Sequence, residues 1–253
     1  MSIILRPSRE RGHATHGWLD SFHSFSFADY YDPEHMGFRA LRVINDDVIQ
    51  PGAGFGMHGH RDMEIITYII RGALAHEDTT GGKGMIRRGE VQYMSAGTGV
   101  RHSEFNASGT EDARLLQIWI VPPREGLAPS YSQQSIPEAS KLNTLRLIAA
   151  PDGADGSLIT HRDVRVYAGL LEAGAGVSHR LEPGRGAWLQ VVDGAIEVNN
   201  GEVNNGEVNN GEVNNGEVNG VTLAAGDGAA IENIENITLT ARDRAEILLF
   251  DLD

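Results

Sequence analysis

Apolar residues in this chain occur in short runs rather than in long amphipathic segments. β-Branched and aromatic residues recur in these runs, and clusters of Gly, Pro, Asn and Asp separate them, which is typical of many short strands joined by turns. No long stretch repeats with the period of an amphipathic helix. The predicted strands are Ala40–Asn45, Met63–Ile70, Gly72–Glu77, Glu90–Ser95, Leu115–Val121, Val166–Leu171, Gly186–Asp193, Ala195–Asn199, Gly228–Glu232, Ile237–Thr240 and Glu246–Asp251.

This strand pattern predicts an all-β fold, because closed barrels and stacked sheets protect the edges of antiparallel sheets. The chain has 253 residues, enough for two lobes of ordinary domain size. Prolines at positions 122, 123, 129 and 137 remove backbone donors and predict a connecting segment. We therefore expect an N-terminal barrel over residues 1–122, a connection over 123–145 and a C-terminal barrel over 146–253.

The two halves also contain similar short segments. Gly89-Glu-Val-Gln-Tyr-Met parallels Gly226-Asp-Gly-Ala-Ala-Ile, and Ile70-Arg-Gly-Ala-Leu parallels Val192-Asp-Gly-Ala-Ile. Internal similarity of this kind favours a duplicated barrel.

A perfect five-residue repeat interrupts the second half, over residues 197–220. The unit Glu-Val-Asn-Asn-Gly occurs four times from Glu197 and is followed by Glu-Val-Asn-Gly, which ends at Gly220. Removal of four units would leave Asn-Gly between two strands, a strong hairpin signal. We interpret the repeat as a tandem duplication that lengthens a hairpin tip into a mobile or irregularly coiled protrusion. The alternative is a ligand-binding or adhesive repeat.

The charge balance and the missing cysteines narrow the classes of partner. Asp and Glu number 35 against 21 Lys and Arg, a formal net charge of −14. Such an acidic surface repels phosphate backbones and anionic lipid, so we expect neither direct nucleic-acid binding nor membrane association. No apolar run is long enough to span a bilayer. Without cysteine, disulfides and thiolate ligands are excluded, and a cytoplasmic protein is expected.

Two short motifs carry the candidate chemistry. His58 and His60 lie two residues apart in a β context, so both imidazoles project from one face, and His102-Ser-Glu104 has the same spacing. The four side chains offer three nitrogen donors and one carboxylate, which suits iron, manganese, cobalt, nickel, copper or zinc. We expect one divalent transition metal here, with iron first among these ions.

The spacing around these motifs resembles the two motifs of the cupin superfamily, namely Gly52-x5-His58-x-His60-x3-Glu64 and Gly89-x5-Ser95-x-Gly97-x4-His102-x3-Asn106. Longer segments are similar to the pirin family, and more closely to its bacterial quercetinase-like members. They are Arg11-Gly-His-Ala-Thr-His-Gly-Trp-Leu-Asp, His23-Ser-Phe-Ser-Phe-Ala-Asp-Tyr-Tyr-Asp-Pro, Leu41-Arg-Val-Ile-Asn-Asp-Asp, His58-Gly-His-Arg-Asp-Met-Glu and Met94-Ser-Ala-Gly-Thr-Gly-Val-Arg-His-Ser-Glu. The similarity is dense over residues 2–122 and looser beyond them.

The resemblance implies two tandem cupin barrels, each a double-stranded β-helix, packed together. It places the metal ligands at His58, His60, His102 and Glu104. The general cupin pattern would instead use Glu64, but four residues of strand cover about 13 Å, so Glu64 reaches the metal of His60 only if the strand bends sharply. We expect Glu64 to be an orienting or salt-bridging group.

The resemblance also implies a function. The first hypothesis is a metal-dependent dioxygenase that opens the central ring of flavonols such as quercetin and releases carbon monoxide. A small aromatic substrate and O2 would be its partners, and Glu104 would also take the flavonol proton. The alternative is a non-catalytic redox- or metal-sensing coregulator that acts through protein partners.

The other histidines and the aromatic cluster are expected to have structural roles. His13, His16 and His23 would cap and pack the N-terminal segment, and His76, His161 and His179 have no partner at ligand spacing. The C-terminal barrel is therefore expected to lack a metal. The aromatic residues expected in the core or between the lobes are Phe22, Phe25, Phe27, Tyr30 and Tyr31.

Overall fold

The computed structural model describes residues 2–199 and 220–253, in which strands are the main regular structure. Three short 3-10 helices cover Ser8–Glu10, Glu138–Ser140 and Ala154–Gly156. The strands of the first half are β1 (Ser2–Arg6), β2 (Gly12–Thr15), β3 (Leu19–His23), β4 (Leu41–Ile49), β5 (Gly54–His60), β6 (Glu64–Arg71), β7 (Ala73–Asp78), β8 (Lys83–Arg87), β9 (Glu90–Ser95), β10 (Val100–Asn106), β11 (Ala113–Ile120) and β12 (Ser130–Ser135). Those of the second half are β13 (Arg146–Ala150), β14 (Leu158–Ile159), β15 (Val164–Leu171), β16 (Gly176–Arg180), β17 (Gly186–Asp193), β18 (Ala195–Asn199), β19 (Val221–Ala224), β20 (Gly228–Glu232), β21 (Asn236–Ala241) and β22 (Ala245–Leu252).

The all-β prediction with two barrels is confirmed. Each barrel is built from one seven-stranded and one four-stranded sheet. In the first barrel the strand orders are β12-β9-β6-β11-β4-β3-β2 and β5-β10-β7-β8. In the second they are β1-β20-β17-β22-β15-β13-β14 and β16-β21-β18-β19.

Two strands join sheets that their positions in the sequence do not suggest. β1, at the N terminus, pairs antiparallel with β20 in the second barrel, from Ser2 opposite Glu232 to Arg6 opposite Gly228. β12, within the proline-containing connection, pairs with β9 in the first barrel. The division at residues 122 and 145 stays a prediction, but each barrel contains a strand from outside its predicted range.

The two seven-stranded sheets pack against each other and form a continuous apolar core between the barrels. β6 is buried on both faces, which explains its nearly unbroken apolar sequence. Trp188 of the second barrel contacts Phe25 of the first, with ring centroids 4.7 Å apart. A buried ion pair between Lys141 and Glu246, at 2.7 Å, joins the connection to β22. Other members of this core include Ile44, Ile66, Leu116, Val166, Leu248 and Phe250.

The interiors of the two barrels differ in chemistry. Aliphatic side chains fill the second barrel, among them Leu189, Val191, Leu239, Ile247 and Leu249. The first barrel has an aliphatic end formed by Leu19, Ile49, Ile69, Leu74, Ile86 and Leu115. Beyond that end, a line of polar side chains crosses the seven-stranded sheet at successive register positions. We call it the polar row, and its members are His23, Asn45, Gln117, Thr67 and Gln92.

The strands on either side of the five-residue repeat form a hairpin. β18 and β19 pair antiparallel from Ala195 opposite Ala224 to Val198 opposite Val221. Residues 200–219, which make up most of the repeat predicted at 197–220, lie outside the described residues. The predicted protrusion therefore stays a prediction.

Within the described ranges, the structure contains no helix with the length and apolar character needed to cross a membrane.

Candidate metal centre

The two predicted motifs lie on neighbouring strands of the four-stranded sheet in the first barrel. β10 pairs antiparallel with β5, so His102 is opposite His58 and Val100 is opposite His60. The register shifts between His102 and Glu104, where Gly56 and Met57 of β5 face Ser103 of β10, a β-bulge of the kind often found beside functional sites. The bulge turns Glu104 relative to the histidines of β5.

Gly54 allows this close approach of the two strands. A Cβ atom at position 54 would lie 2.2 Å from the Glu104 carbonyl oxygen and 2.5 Å from Cα of Phe105. Both atoms belong to the backbone and cannot move aside easily. We conclude that glycine is required here for the pairing that positions Glu104.

The three predicted histidines converge. Their candidate ligand nitrogens lie within 4.8 Å of one another. Nε2 of His58 and Nε2 of His102 are 3.0 Å apart, and the ring of His60 packs edge-on to both, with centroids 4.8 Å from each. This distance range is one that a single cation could bridge.

Glu104 lies on the other side of His102 and is 2% exposed. Its Oε2 accepts a hydrogen bond of 3.0 Å from Nε2 of Gln117, and its Oε1 has no partner in the described residues. Glu104 shares a second group of close donor atoms with His102 and His76, again within 4.8 Å. The four predicted residues are thus brought together as two overlapping sets that share His102.

The expectation that His76 has no partner at ligand spacing is wrong. His76 lies on β7, directly opposite Glu104 of β10, and its ring centroid is 5.2 Å from that of His102. Its Nε2 is 3.0 Å from the buried Asp78 carboxyl group. The sequence shows His76 and Asp78 at a spacing of two, but only the pairing of β7 with β10 places them behind the predicted ligands.

Burial sets the protonation of the site. Desolvation, together with the neighbouring His58, lowers the pKa of His60 to about 4 and that of His102 to about 3. Both imidazoles are therefore neutral near pH 7 and have lone pairs available for coordination. Desolvation also raises the pKa of Glu104 to about 7, and the carboxyl group of Asp47 adds to this rise.

The donor set fits a divalent transition metal. Such an ion binds the groups present here, which are two imidazoles with Nε2 atoms 3.0 Å apart, a third imidazole beside them and a buried carboxyl oxygen that has no partner in the described residues. A cation placed among them would also favour the ionised form of Glu104.

A cavity of about 620 Å³ opens beside these residues. Its size is in the range of small-molecule sites. Aromatic side chains make up much of the wall. The lining residues are His13, Ala14, His16, Trp18, Leu19, Ser21, His23, Phe27, Ala28, Asp29, Tyr30, Asn45, Asp47, Phe55, His58, His60, Glu104, Gln117 and Trp119.

Several residues that we expected to have packing roles line this cavity. His13, His16 and His23 all face it, and so do Phe27 and Tyr30. The N-terminal segment folds over the mouth of the first barrel through β2 and β3, an arrangement that sequence reasoning missed. The packing interpretation is confirmed for Phe25, which lies in the core between the barrels. By contrast, Tyr31 is 73% exposed.

Glu64 belongs to neither group of donor atoms. It is fully buried, and its carboxylate accepts hydrogen bonds from Tyr93 Oη at 2.6 Å and from the backbone N–H groups of His161 and Arg162 at 2.8 and 2.9 Å. Glu64 therefore joins the first barrel to the loop before β15 in the second.

In the second barrel, His179 pairs with the carboxyl group of Asp251 at 2.9 Å. The described residues of this barrel contain no group of three close metal donors.

The fold and the donor cluster together define a two-barrel cupin protein with one candidate metal centre, in its first barrel. Comparison with known families agrees: the profile described as Pirin matches residues 4–120, and the quercetinase C-terminal cupin domain matches residues 147–210 and 207–252. The chain belongs to the pirin family.

Individual relatives match along nearly the whole chain. Quercetin 2,3-dioxygenase of Escherichia coli K12 is 46% identical over 250 residues, which are 99% of this chain and 98% of that protein. A pirin-like protein of Caulobacter vibrioides is 40% identical over 250 residues, with 98% and 99% covered. The crystal structure of the bacterial pirin YhhW from E. coli in complex with nickel(II) has a TM-score of 0.87 at 45% identity and 99% coverage of both chains.

Proposed function

We propose that this protein is a metal-dependent dioxygenase that opens the central ring of flavonols such as quercetin, with one divalent metal held by His58, His60, His102 and Glu104. The convergence of three imidazoles and a buried carboxyl group at the wall of an aromatic cavity supports this most directly. The name of the E. coli relative, Quercetin 2,3-dioxygenase, supports the substrate class.

Several ions suit the site. The nickel(II) complex of the E. coli pirin supports a divalent ion, and iron, which we expected from the sequence, accepts the same donors. When bound, the metal would act as a Lewis acid that stabilises the deprotonated flavonol and brings it close to O2.

The cavity suits a flat aromatic substrate. The rings of Trp18, Phe55 and Trp119 line it, and Trp119 packs edge-on against His60 with centroids 4.9 Å apart. A planar ligand seated among these rings would exclude water from the donor cluster. Exclusion of water strengthens the electrostatic interactions there and protects reactive species from hydrolysis.

Glu104 is the proposed base that takes the flavonol proton. Burial raises its pKa to about 7, so the carboxylate that a bound cation would favour can readily accept a proton. Its Oε1 is free of other hydrogen bonds, while Gln117 fixes Oε2. Gln117 therefore orients the carboxyl group, and Oε1 stays available to accept a proton.

Anaerobic loading of the protein with Fe2+ or Ni2+, followed by quercetin and aerated buffer, tests this function. We expect the flavonol absorbance to bleach. His102→Ala removes the imidazole shared by both donor sets and is expected to slow bleaching by more than about 100-fold. His35→Ala, whose imidazole pairs with Asp32 outside the cavity, is the matched control and should bleach quercetin like the wild type.

Unchanged absorbance with fully loaded wild-type protein, together with identical behaviour of His102→Ala, would refute the dioxygenase. The metal-sensing coregulator would then be favoured. In that case, the set of proteins captured should differ between the metal-loaded and metal-free forms.

A further inference from the structure

Part of the polar row lines the cavity. His23, Asn45 and Gln117 both belong to the row and line the cavity. Neighbouring strands are about 4.8 Å apart, so Asn45 is about 5 Å from Gln117 across the sheet and His23 about 10 Å. Since Gln117 contacts Glu104, these side chains extend from the candidate metal centre over a length comparable to a fused aromatic ring system.

Two atoms of these side chains are buried and have no partner among the described residues. They are Nδ1 of His23 and Oδ1 of Asn45, each in a side chain that is 3% exposed. Buried polar groups are nearly always hydrogen-bonded, so two unpartnered atoms on neighbouring strands at a cavity wall indicate a ligand contact. The second barrel has aliphatic side chains throughout the corresponding core.

Ser21 and Asp47 determine which ring nitrogen of His23 carries the proton. The Ser21 hydroxyl donates to Asp47 Oδ1, and His23 Nε2 lies 2.8 Å from Ser21 Oγ. When Asp47 is ionised, the single hydroxyl proton of Ser21 goes to its carboxylate, and Nε2 of His23 carries the proton that it donates to Ser21. Nδ1 is then a bare lone pair, so both unpartnered atoms are acceptors.

We propose that His23 and Asn45 bind hydroxyl groups on the part of the substrate remote from the metal-binding oxygens, and so select polyhydroxylated aromatic compounds. This inference rests on the proposed function for the flavonol framework. Ser21 and Asp47 are positioning residues, since they act through the tautomer of His23. Two adjacent acceptors match two phenolic O–H donors and disfavour a ring without hydroxyl groups, because the acceptors would then stay buried and unpaired.

Steady-state turnover of two flavonols tests the proposal. Quercetin has hydroxyl groups on both outer ring systems, whereas 3-hydroxyflavone has the metal-binding oxygens and no other hydroxyl group. Asn45→Leu keeps the volume and removes the acceptor; Ser21→Ala removes the group that fixes His23. Each variant is expected to raise the KM for quercetin about tenfold while changing the KM for 3-hydroxyflavone less than about twofold.

Ser24→Ala is the matched control. Ser24 is buried one residue beyond β3, and its hydroxyl group lies 3.5 Å from Gln190 between the barrels, outside the cavity. This variant should leave both KM values unchanged. Equal losses on both flavonols in Asn45→Leu would overturn the proposal in favour of a purely structural role, and so would no loss on quercetin.

Binding separates this inference from the proposed function. If the wild type turns over neither flavonol, the dioxygenase fails, but quenching of Trp18 and Trp119 fluorescence in metal-loaded protein still measures affinity. If the wild type binds quercetin more tightly than 3-hydroxyflavone and Asn45→Leu loses this difference, the result supports His23 and Asn45 as acceptors for substrate hydroxyl groups. Equal affinity of the wild type for both compounds refutes it.

Discussion

At the residue scale, the first barrel concentrates buried ionisable groups within a few strands. Asp47 is 3% exposed, and desolvation with the nearby Asp46 raises its pKa to about 7, although the Ser21 hydroxyl group opposes the rise. Desolvation lowers the pKa of His23 to about 4. Carboxyl and imidazole groups are thus both driven toward their neutral forms, which keeps the cavity low in net charge before any ligand enters.

Asp47→Asn is expected to remove a pH-dependent cost of folding. The folded-state pKa of Asp47 lies above the unfolded value of 3.8, so its contribution to stability is present below about pH 4 and is lost as pH rises through about 7. Asparagine does not ionise. The stability of the variant relative to the wild type should therefore increase by on the order of 2–4 kcal/mol between pH 4 and pH 8. Urea unfolding of the metal-free proteins measures this, and a difference independent of pH would contradict it.

At the scale of strands, the apolar runs predicted several strands of the structure but not β5 and β10, which carry the candidate ligands. Glu90–Ser95, Gly186–Asp193, Ala195–Asn199 and Gly228–Glu232 were predicted with the bounds that the structure shows. Three of them are buried nearly throughout, whereas Ala195–Asn199 is buried at alternate residues. The motifs of β5 and β10 were expected in a β context, but these strands were not among those predicted from apolar runs, since glycine and polar residues dominate them and their backbone pairing supplies the order. The four candidate ligands were named from spacing and family resemblance, and the structure places them in two overlapping groups of close donor atoms.

The residues around those ligands depend on register between distant segments. His23, Asn45 and Gln117 are neighbours because β3, β4 and β11 pair in order, and nothing local in the sequence reveals that. The same is true of His76, which β7 places opposite Glu104. Spacing within a motif identifies candidate donors on one strand, whereas the residues that surround them are determined by how distant strands pair in the sheet.

Glu64→Gln tests whether Glu64 stabilises the fold rather than binding the metal. Glu64, at the start of β6, accepts three hydrogen bonds, two of them from the backbone of the loop before β15. The amide cannot accept all three with equal strength, so we expect destabilisation of about 1–3 kcal/mol. Metal content, measured by elemental analysis, should match the wild type, whereas Glu104→Gln should lower it. Loss of metal from Glu64→Gln would return this residue to the coordination sphere.

At the scale of the whole molecule, the two barrels share an apolar core, but the contents of their interiors differ. The outer faces of the two seven-stranded sheets bury each other, while one interior holds donors and a cavity and the other is packed with aliphatic side chains. The second barrel thus covers one side of the first and stabilises it. Buried groups such as Glu64 cross between them.

Deletion of residues 200–219 is expected to leave the protein functional. The deletion joins Asn199 to Gly220 and places an Asn-Gly turn between β18 and β19, in the register that Val198 and Val221 already have. These strands lie in the four-stranded sheet of the second barrel. We expect kcat/KM for quercetin within about twofold of the wild type and a Tm that is equal or slightly higher, because a shorter loop costs less entropy to close. A large fall in either quantity would show that the repeat has a role of its own.

The pairing of β1 with β20 has a consequence for biosynthesis. Residues Ser2–Arg6 are synthesised well before their partner Gly228–Glu232, which follows about 220 residues later. A chain that stops before β20 would carry an unpaired β1. A longer chain cut after Arg6 would leave the edge of the second barrel's sheet open to other molecules. The seven-stranded sheet of the second barrel is therefore complete only when β1 pairs with β20, two strands that are far apart in the sequence.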